Sequence, residues 1–447
     1  MRTLVIDVDS LRPDHVGAYG YPEPTTPNID RLAEDAVRFD RAYAAASPCM
    51  PARAAFLSGR YGIANGVATH GPRGRTLSGP DTWADFDGDA ADYRTLPAVL
   101  FDDRTPTAAV SSFPRHPSPW FYDRWHEFHQ PQEPPGDGET FQTPRAETVA
   151  DRALSWLDRV ESSAWLLYVQ FWDPHTPYNR TDEETAQFDP PRPPHPTDEA
   201  IARQQADTYW RSAPHQGINN AADLLDTLAA YDAEIRYCDR HVGRVLDALR
   251  ERGVYDETLI VLLADHGEEF GEHGCYSEHW STHEGTQRIP LLVKPPGGAD
   301  RAASDALVTN VDVAPTILDY AGPDRPAAWH GRSVRPLVAD EGPDWRDTVV
   351  LDHGLYTAQR AVRTDRWKFV RTYHDGLWEI PDRQLFDLQA DPWEQENVRE
   401  AHPEVVDRLE GRMARWADRY VGREEDALRA VAREGPAGLR WAGADVV

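Results

Sequence analysis

Short apolar runs alternate with longer stretches of helical periodicity over the first three quarters of the chain. The runs are rich in Leu, Val and Ile, which is typical of strands buried on both faces of a parallel sheet. They occupy residues 4–8, 107–111, 165–171, 259–264 and 291–293. The predicted helices lie at residues 26–33, 95–101, 144–160, 222–252 and 309–318. This alternation predicts an α/β fold with a large, mostly parallel central sheet flanked by helices.

The last quarter of the chain has a different pattern. Four short strand-like segments predict a smaller antiparallel sheet, and they lie at residues 348–351, 360–363, 367–372 and 384–388. A predicted helix at residues 403–420 covers this sheet. We therefore divide the chain into an α/β domain over residues 1–340, a small C-terminal α+β subdomain over residues 345–421 and a polar tail over residues 422–447.

Polar residues directly follow two of the apolar runs. Asp9 ends the run at 4–8, and Asp265 and His266 end the run at 259–264. Open α/β sheets keep their sites outside the carboxyl ends of the strands, so we expect these residues to converge. Carboxylate oxygens and an imidazole suit a divalent metal ion. Asp7 lies on the same strand face as Asp9, and we favour a buried, hydrogen-bonded carboxylate there over a further metal ligand.

Cys49 is predicted to sit at the start of a helix. Pro51 is tolerated in a first helical turn, and residues 52–57 are good helix formers. Arg53, four residues on, shares the helical face of Cys49. The positive helix end and the guanidinium together predict a lowered thiol pKa and a site suited to a tetrahedral oxyanion.

Residues 49–61 resemble the signature of the type I sulfatases, a branch of the alkaline phosphatase superfamily. The resemblance lies in Cys-x-Pro-x-Arg at 49–53, in Leu-Ser-Gly-Arg-Tyr at 57–61 and in Asp-His-Gly at 265–267. It implies an alkaline-phosphatase-like sandwich and a cysteine that a formylglycine-generating maturation enzyme oxidises to formylglycine. The hydrated aldehyde would then be the nucleophile that attacks the sulfur of a sulfate ester.

The resemblance also implies roles for the residues already singled out. Asp9, Asp265, His266 and the residue made from Cys49 would bind the metal, and Arg53 would stabilise the nucleophile and its charge. We expect one divalent ion, in the first place Ca²⁺, with Mg²⁺ or Mn²⁺ as alternatives. The imidazole ligand favours Mn²⁺ or Zn²⁺ more than an all-oxygen site would.

Three histidines match or replace site residues of the family. His175, in Pro-His-Thr-Pro-Tyr at 174–178, corresponds to a site histidine, and His279 stands where the family usually has a lysine. Both would bind sulfate or protonate the leaving group, His279 either as a cation or as a neutral donor. His70 falls where relatives often carry a polar residue beside the nucleophile, and the alternative is a loop histidine in solvent.

One stretch departs from the family pattern. Many sulfatases follow the strand at 107–111 with Gly-Lys-Trp-His-Leu-Gly, but here Ser112 and Pro114 occupy the Lys and His positions. Arg115 and His116 either take over the sulfate contact or form a surface pair in a loop.

Two further segments lack periodicity. Residues 120–144 are a predicted loop whose Trp120, Phe121, Tyr122 and Trp125 either stack on sugar rings or plug the underside of the loop. Residues 182–216 are polar and Pro-rich, which favours an insertion or a lid over the site.

The amino-acid composition limits the partners and the cellular location that we expect for this protein. The net charge of −28 over 447 residues argues against nucleic acid and anionic lipid as partners. Lys294 and Lys368 are the only lysines, and this Arg-for-Lys, acid-rich composition resembles proteins from a high-salt cytoplasm. Three scattered cysteines make no disulfide framework, and no signal-peptide pattern or membrane-length apolar run is seen. We therefore expect a cytoplasmic enzyme of unknown oligomeric state.

Three functions fit this sequence. The first is metal-dependent hydrolysis of sulfate esters, with a small molecule or a carbohydrate carrying the ester. The second is hydrolysis of phosphonate monoesters or phosphodiesters by the same site. The third is a non-catalytic homologue that binds polyanions, which retention of Cys49 and Arg53 disfavours.

Overall fold

The computed structural model describes residues 1–113, 116, 118–134, 143–206, 217–342 and 344–440. Pro114 and Arg115 lie outside the described residues, as do residues 135–142 of the aromatic loop, 207–216 of the predicted lid and 441–447 of the tail. No helix in the described ranges is long and apolar enough to cross a membrane.

The described strands and helices follow the predicted alternation. The strands are β1 Arg2–Val8, β2 Val37–Phe39, β3 Ala42–Tyr43, β4 Ala46–Ser47, β5 Thr107–Val110, β6 Glu127–His129, β7 Trp165–Phe171, β8 Thr258–Leu263, β9 Glu269–Phe270, β10 Tyr276–Glu278, β11 Leu291–Lys294, β12 Ala303–Ser304, β13 Val308–Thr309, β14 Thr348–His353, β15 Ala358–Thr364, β16 Trp367–His374 and β17 Arg383–Asp387. The helices are α1 Pro27–Ala33, α2 Cys49–Ser58, α3 Gly62–Asn65, α4 Leu96–Asp102, α5 Pro119–Tyr122, α6 Ala146–Leu157, α7 Asp182–Thr185, α8 Asp198–Gln204, α9 Ala221–Glu251, α10 Glu284–Gln287, α11 Val313–Ala321, α12 Arg335–Val338, α13 Pro403–Tyr420 and α14 Ala427–Glu434.

The large sheet has eight described strands in the order β12-β2-β11-β8-β1-β7-β5-β6. Among them only β11 runs antiparallel to its neighbours. Residues 4–8 and 259–263 are almost completely buried, as expected for strands covered on both faces. The predicted α/β fold is therefore confirmed.

The central strands of this sheet end level with one another. Asp7 of β1 pairs with Leu263 of β8, and Val8 of β1 pairs with Phe171 of β7. The residues that follow these three strands consequently meet at one edge of the sheet. Tyr231 of α9 holds the loop after β1, because its hydroxyl donates to the Ser10 carbonyl at 2.7 Å and accepts the Arg12 N–H at 2.9 Å.

A second sheet of five strands, in the order β17-β16-β15-β14-β4, contains the predicted antiparallel meander. Helix α13 covers it with Val405, Val406, Leu409 and Met413. The edge strand of this sheet, β4, comes from the segment just before Cys49. It runs parallel to β14, with Ser47 opposite His353. The C-terminal sheet thus helps to position the start of α2.

The predicted tail contains ordered structure. Leu428 and Val431 of α14 are buried against Ala68 and Ala358. The domain boundaries at residues 340, 345 and 421 stay a prediction.

Arg360 of β15 provides a stability test of the second sheet. Its guanidinium is 1% exposed and donates to Asp352 at 2.6 and 2.9 Å and to Asp426 at 2.7 and 3.0 Å. Because Arg360→Met leaves two carboxylates without their cation, we expect it to lower the free energy of unfolding by about 3–5 kcal/mol in urea denaturation.

Arg371→Met is the matched control. Arg371 lies opposite Arg360 on the neighbouring strand β16 and pairs with Asp382 at the surface, at 2.9 Å. An exposed pair contributes less than about 1 kcal/mol. Equal losses for the two variants would contradict a stabilising role for the buried network.

Candidate active site

Four candidate residues meet at the carboxyl edge of the large sheet. Asp9 follows β1, Asp265 and His266 follow β8, and Cys49 is the first residue of α2. One ligand atom from each lies within 4.8 Å of the other three, and all four residues are buried. The Cys49 Sγ lies 3.2 Å from His266 Nε2, which in turn lies 3.3 Å from Asp265 Oδ2.

Arg53 directs its guanidinium to carboxylates. It is 1% exposed, and it donates to Asp7 Oδ2 at 2.8 Å, to Asp265 Oδ2 at 2.7 Å and to Asp9 Oδ2 at 3.0 Å. Asp7 also accepts a hydrogen bond from the Tyr168 hydroxyl. Burial raises the pKa of Asp7 to about 6 although Arg53 opposes the rise. Asp7 is thus the buried, hydrogen-bonded carboxylate that the sequence favours.

The site carries more negative than positive charge. Asp7, Asp9 and Asp265 face the single guanidinium of Arg53, and burial raises the pKa of Asp9. Buried carboxylates are costly unless cations or hydrogen bonds compensate them. Two carboxylates and an imidazole converging beside residue 49 form a donor set that fits a divalent ion.

The expectation of a lowered thiol pKa is wrong. Burial raises the pKa of Cys49 well above its usual range, and the nearby carboxylates of Asp9 and Asp265 raise it further. Arg53 acts in the opposite direction, but its charge is shared among three carboxylates. An unmodified cysteine at this position would therefore be a protonated thiol, which is a poor nucleophile.

The candidate histidines surround residue 49. Ligand atoms of His70, His279 and Cys49 lie within 4.8 Å of one another. The His279 ring lies 4.1 Å from the His266 ring and 5.9 Å from the His175 ring, centroid to centroid. His70 is 3% exposed, so the alternative of a loop histidine in solvent is wrong.

Two of these histidines are held in the neutral form. Burial lowers the pKa of His70 well below its usual range, and His116 lowers it further. Burial lowers the pKa of His279 in the same way, with contributions from His266 and His175. Of the two forms considered for His279, the protein therefore favours the neutral hydrogen-bond donor.

The residues after β5 differ from the family motif, in which a lysine and a histidine hold the sulfate. Ser112 accepts a hydrogen bond from the Trp172 indole, while Pro114 and Arg115 lie outside the described residues. His116 is half-buried and stacks on His70 with ring centroids 4.6 Å apart. Of the two positions proposed to replace the motif, His116 thus lies beside the site.

The aromatic loop is mostly a plug. Trp120, Phe121 and Trp125 are at most 8% exposed and belong to the main core. Tyr122 is 46% exposed, so it is the member of this group that is open to solvent.

A polar group behind Cys49 was not predicted from the sequence. His353 Nδ1 lies 2.8 Å from Ser47 Oγ, and Gln287 donates to the same hydroxyl at 2.7 Å. His353 comes from β14, and its burial together with His266 lowers its pKa to about 3. The only available sequence signal was a polar pair, Asp352-His353, at the end of an apolar run.

Comparison with known proteins places these features in one family. The family model described as Sulfatase matches residues 2–323, and the model described as N-sulphoglucosamine sulphohydrolase, C-terminal, matches residues 271–419. An N-acetylglucosamine-6-O-sulfatase of Bacteroides thetaiotaomicron is 26% identical over 464 residues, which covers 86% of this chain and 80% of the relative. A choline-sulfatase of Rhizobium meliloti is 27% identical over 98% of this chain and 90% of its own length.

A solved structure shares the fold. It is a complex of a protein with its substrate D-glucosamine-2-N,6-O-disulfate, and it superposes with a TM-score of 0.75 at 21% identity. The superposition covers 95% of this chain and 99% of the other.

The donor set at the sheet edge predicts specific metal binding. Chelator-treated protein titrated with CaCl₂, MgCl₂ or MnCl₂ in a calorimeter should bind one ion per chain. Asp265→Asn should lower the affinity by at least about 100-fold, because it removes a direct ligand rather than an outer partner. Asp14→Asn is the control, since Asp14 pairs with Arg12 at 2.7 Å outside the donor cluster. Unchanged affinity in Asp265→Asn would contradict this assignment.

Proposed function

This chain belongs to the sulfatase family and is a sulfatase, and we propose that it hydrolyses sulfate esters through a formylglycine made from Cys49 beside one divalent metal ion. The observation that carries the proposal is the convergence of Asp9, Asp265 and His266 on residue 49, with donor atoms within 4.8 Å of one another.

The proposed ion would be held by Asp9, Asp265, His266 and the residue at position 49. Ca²⁺ is the expected ion, with Mg²⁺ or Mn²⁺ as alternatives, because two of the three unmodified ligands are hard carboxylates. When bound, such an ion supplies Lewis-acid polarisation of a sulfate oxygen and favours the deprotonated form of a neighbouring hydroxyl.

Formylglycine explains why a cysteine occupies a site that suppresses thiolate formation. A hydrated aldehyde carries two hydroxyl groups on one carbon. The first hydroxyl loses its proton and attacks the ester sulfur, the S–O bond to the alcohol breaks, and the alcohol oxygen takes up a proton as it leaves. Loss of the proton from the second hydroxyl then restores the aldehyde and breaks its C–O bond to sulfate, which is released, and water rehydrates the aldehyde. The residue at 49 is thus proposed to act as an oxygen nucleophile, for which a raised thiol pKa is irrelevant.

The chain's own side chains would handle charge and protons. Arg53 keeps Asp7, Asp9 and Asp265 in place through its three hydrogen bonds. His279 is proposed to bind the sulfate group as a neutral hydrogen-bond donor, and His175 is proposed to bind it or to give a proton to the leaving oxygen. His70 has a ring nitrogen within 4.8 Å of Cys49 Sγ and stacks on His116, and both histidines are candidates for an indirect role in these proton transfers.

The substrate is proposed to be a carbohydrate or small-molecule sulfate ester, and the N-acetylglucosamine-6-O-sulfatase relative supports a sugar. A formylglycine-generating enzyme is the proposed maturation partner. Oligomeric state, a cytoplasmic location and a high-salt origin stay predictions.

Removal of the nucleophile is the direct test of this function. Protein co-produced with a formylglycine-generating enzyme should hydrolyse 4-nitrophenyl sulfate, and Cys49→Ala should lower kcat/KM by at least about 10³-fold. Cys238→Ala is the matched control, because Cys238 is buried in α9 and belongs to neither group of clustered ligand atoms around Cys49, so this variant should keep its rate within about threefold.

A phosphonate monoester assayed in parallel tests the second function. We expect kcat/KM to be at least about tenfold higher for the sulfate ester. A reversed preference would favour the phosphonate hydrolase function, and full activity in Cys49→Ala would refute the proposed nucleophile.

A further inference from the structure

A cleft of about 900 Å³ opens at the other end of the helix that carries Cys49. Helix α2 has ten residues and is therefore about 15 Å long, and Arg60 lies two residues beyond its end. The cleft is lined by Arg60, Tyr93, Thr95 and Trp120, among others, and by exposed arginines at its rim. It does not include Cys49, Asp9, Asp265 or His266.

Arg60 is buried in the wall of this cleft and has no anionic partner within the described part of the chain. The residue is 2% exposed, and its Nε has no hydrogen-bond partner among the described residues. The guanidinium carbon lies 5.4 Å from the centroid of the Tyr93 ring. Burial lowers the pKa of Arg60 to about 10, opposed only by Tyr93.

The other buried arginines among the described residues have acidic partners. Arg53 holds three carboxylates, and Arg360 holds two. Arg12 pairs with Asp14 at 2.7 Å and with Glu272 at 2.6 Å, and Arg363 lies 3.6 Å from Glu284. A buried charge without such partners is destabilising, and in a chain of net charge −28 the lack of an acidic partner for Arg60 is unusual.

Thr95 supplies a second donor without a partner in the same cleft. It is 9% exposed, and its Oγ1 makes no hydrogen bond to the described residues. Although Thr95 precedes α4, its hydroxyl does not cap that helix. Arg60 and Thr95 are thus two buried donors, from separate segments, lining one cavity.

The rim of the cleft is mixed in charge. Arg75 and Arg124 are exposed. Arg94 is engaged by Asp102 at 2.8 Å, and Asp81 and Asp123 are exposed at the rim. The buried part of the cleft, in contrast, offers a cation and a hydroxyl.

We propose that this cleft binds an oxyanion, a sulfate, phosphate or carboxylate group, through the Arg60 guanidinium and the Thr95 hydroxyl. A guanidinium matches the geometry of such groups with two parallel N–H donors. The bound anion supplies the compensating charge that the described residues do not provide.

Inorganic sulfate is the probe for this site. Thermal unfolding of the full chain is followed in Na₂SO₄ and in NaCl at equal ionic strength, because ligand binding to the folded state raises Tm. Thr95→Val should weaken the sulfate response by about tenfold or more in apparent affinity. Thr76→Val is the matched control, since Thr76 is an exposed residue of the same cleft, and it should respond like the wild type. This comparison also removes the general stabilising effect of sulfate.

Arg60→Met gives a second test, which depends on the direction of the change in Tm. Without sulfate it should leave Tm unchanged or raise it, because it removes an uncompensated buried charge, and it should abolish the specific sulfate response. A loss of stability in Arg60→Met together with an undiminished sulfate response in Thr95→Val would overturn the proposal. If Arg60→Met does not fold, the Thr95→Val result decides alone.

Enzyme kinetics distinguishes an anionic group of an extended substrate from a free anion. If Thr95→Val raises KM for a sulfated tetrasaccharide but not for 4-nitrophenyl sulfate, the oxyanion is a second charged group of an extended substrate. If neither KM changes while the sulfate response is lost, the site binds a free anion. The thermal readout does not require turnover, so it stands apart from the proposed catalytic function.

Discussion

One buried guanidinium partly compensates the negative charge at the acidic centre of this protein. Arg53 joins α2 to the ends of β1 and β8, because Asp7 belongs to β1, Asp9 follows β1 and Asp265 follows β8. Without it, three buried carboxylates would face one another with no cation. With it, the centre remains electrically negative, which is the condition under which the same residues would hold the proposed divalent ion. The same contact therefore stabilises the fold and positions the proposed metal ligands.

The position of residue 49 depends on both sheets. The large sheet supplies the carboxylates and His266, while the smaller sheet pairs with residues 46–47 and places His353 against Ser47. Catalytic groups must be held in their reactive geometry to within fractions of an ångström. The C-terminal sheet, although distant in sequence, therefore helps to fix the position of residue 49.

Much of this arrangement could be predicted from sequence, because strand ends and short motifs are local signals. The apolar runs before Asp9 and Asp265 predicted both their strands and their convergence. Three features were beyond local reasoning: the partners of Arg53, the raised pKa of Cys49 and the contact of His353 with Ser47. Each depends on what long-range packing places within a few ångströms. The strand β4, Ala46–Ser47, has only two residues and so shows no alternation of apolar and polar positions. Its pairing with β14 could therefore not be predicted from the sequence either.

We propose that Cys49 acts as formylglycine, and mass spectrometry of a single peptide is the decisive experiment. Trypsin should release residues 42–53 from protein made in its own host. Conversion of the thiol to the aldehyde makes this peptide about 18 Da lighter than the unmodified sequence, a change on the cysteine oxidation ladder. We predict that lighter peptide. An unmodified Cys49 thiol in active protein would refute the proposed formylglycine nucleophile.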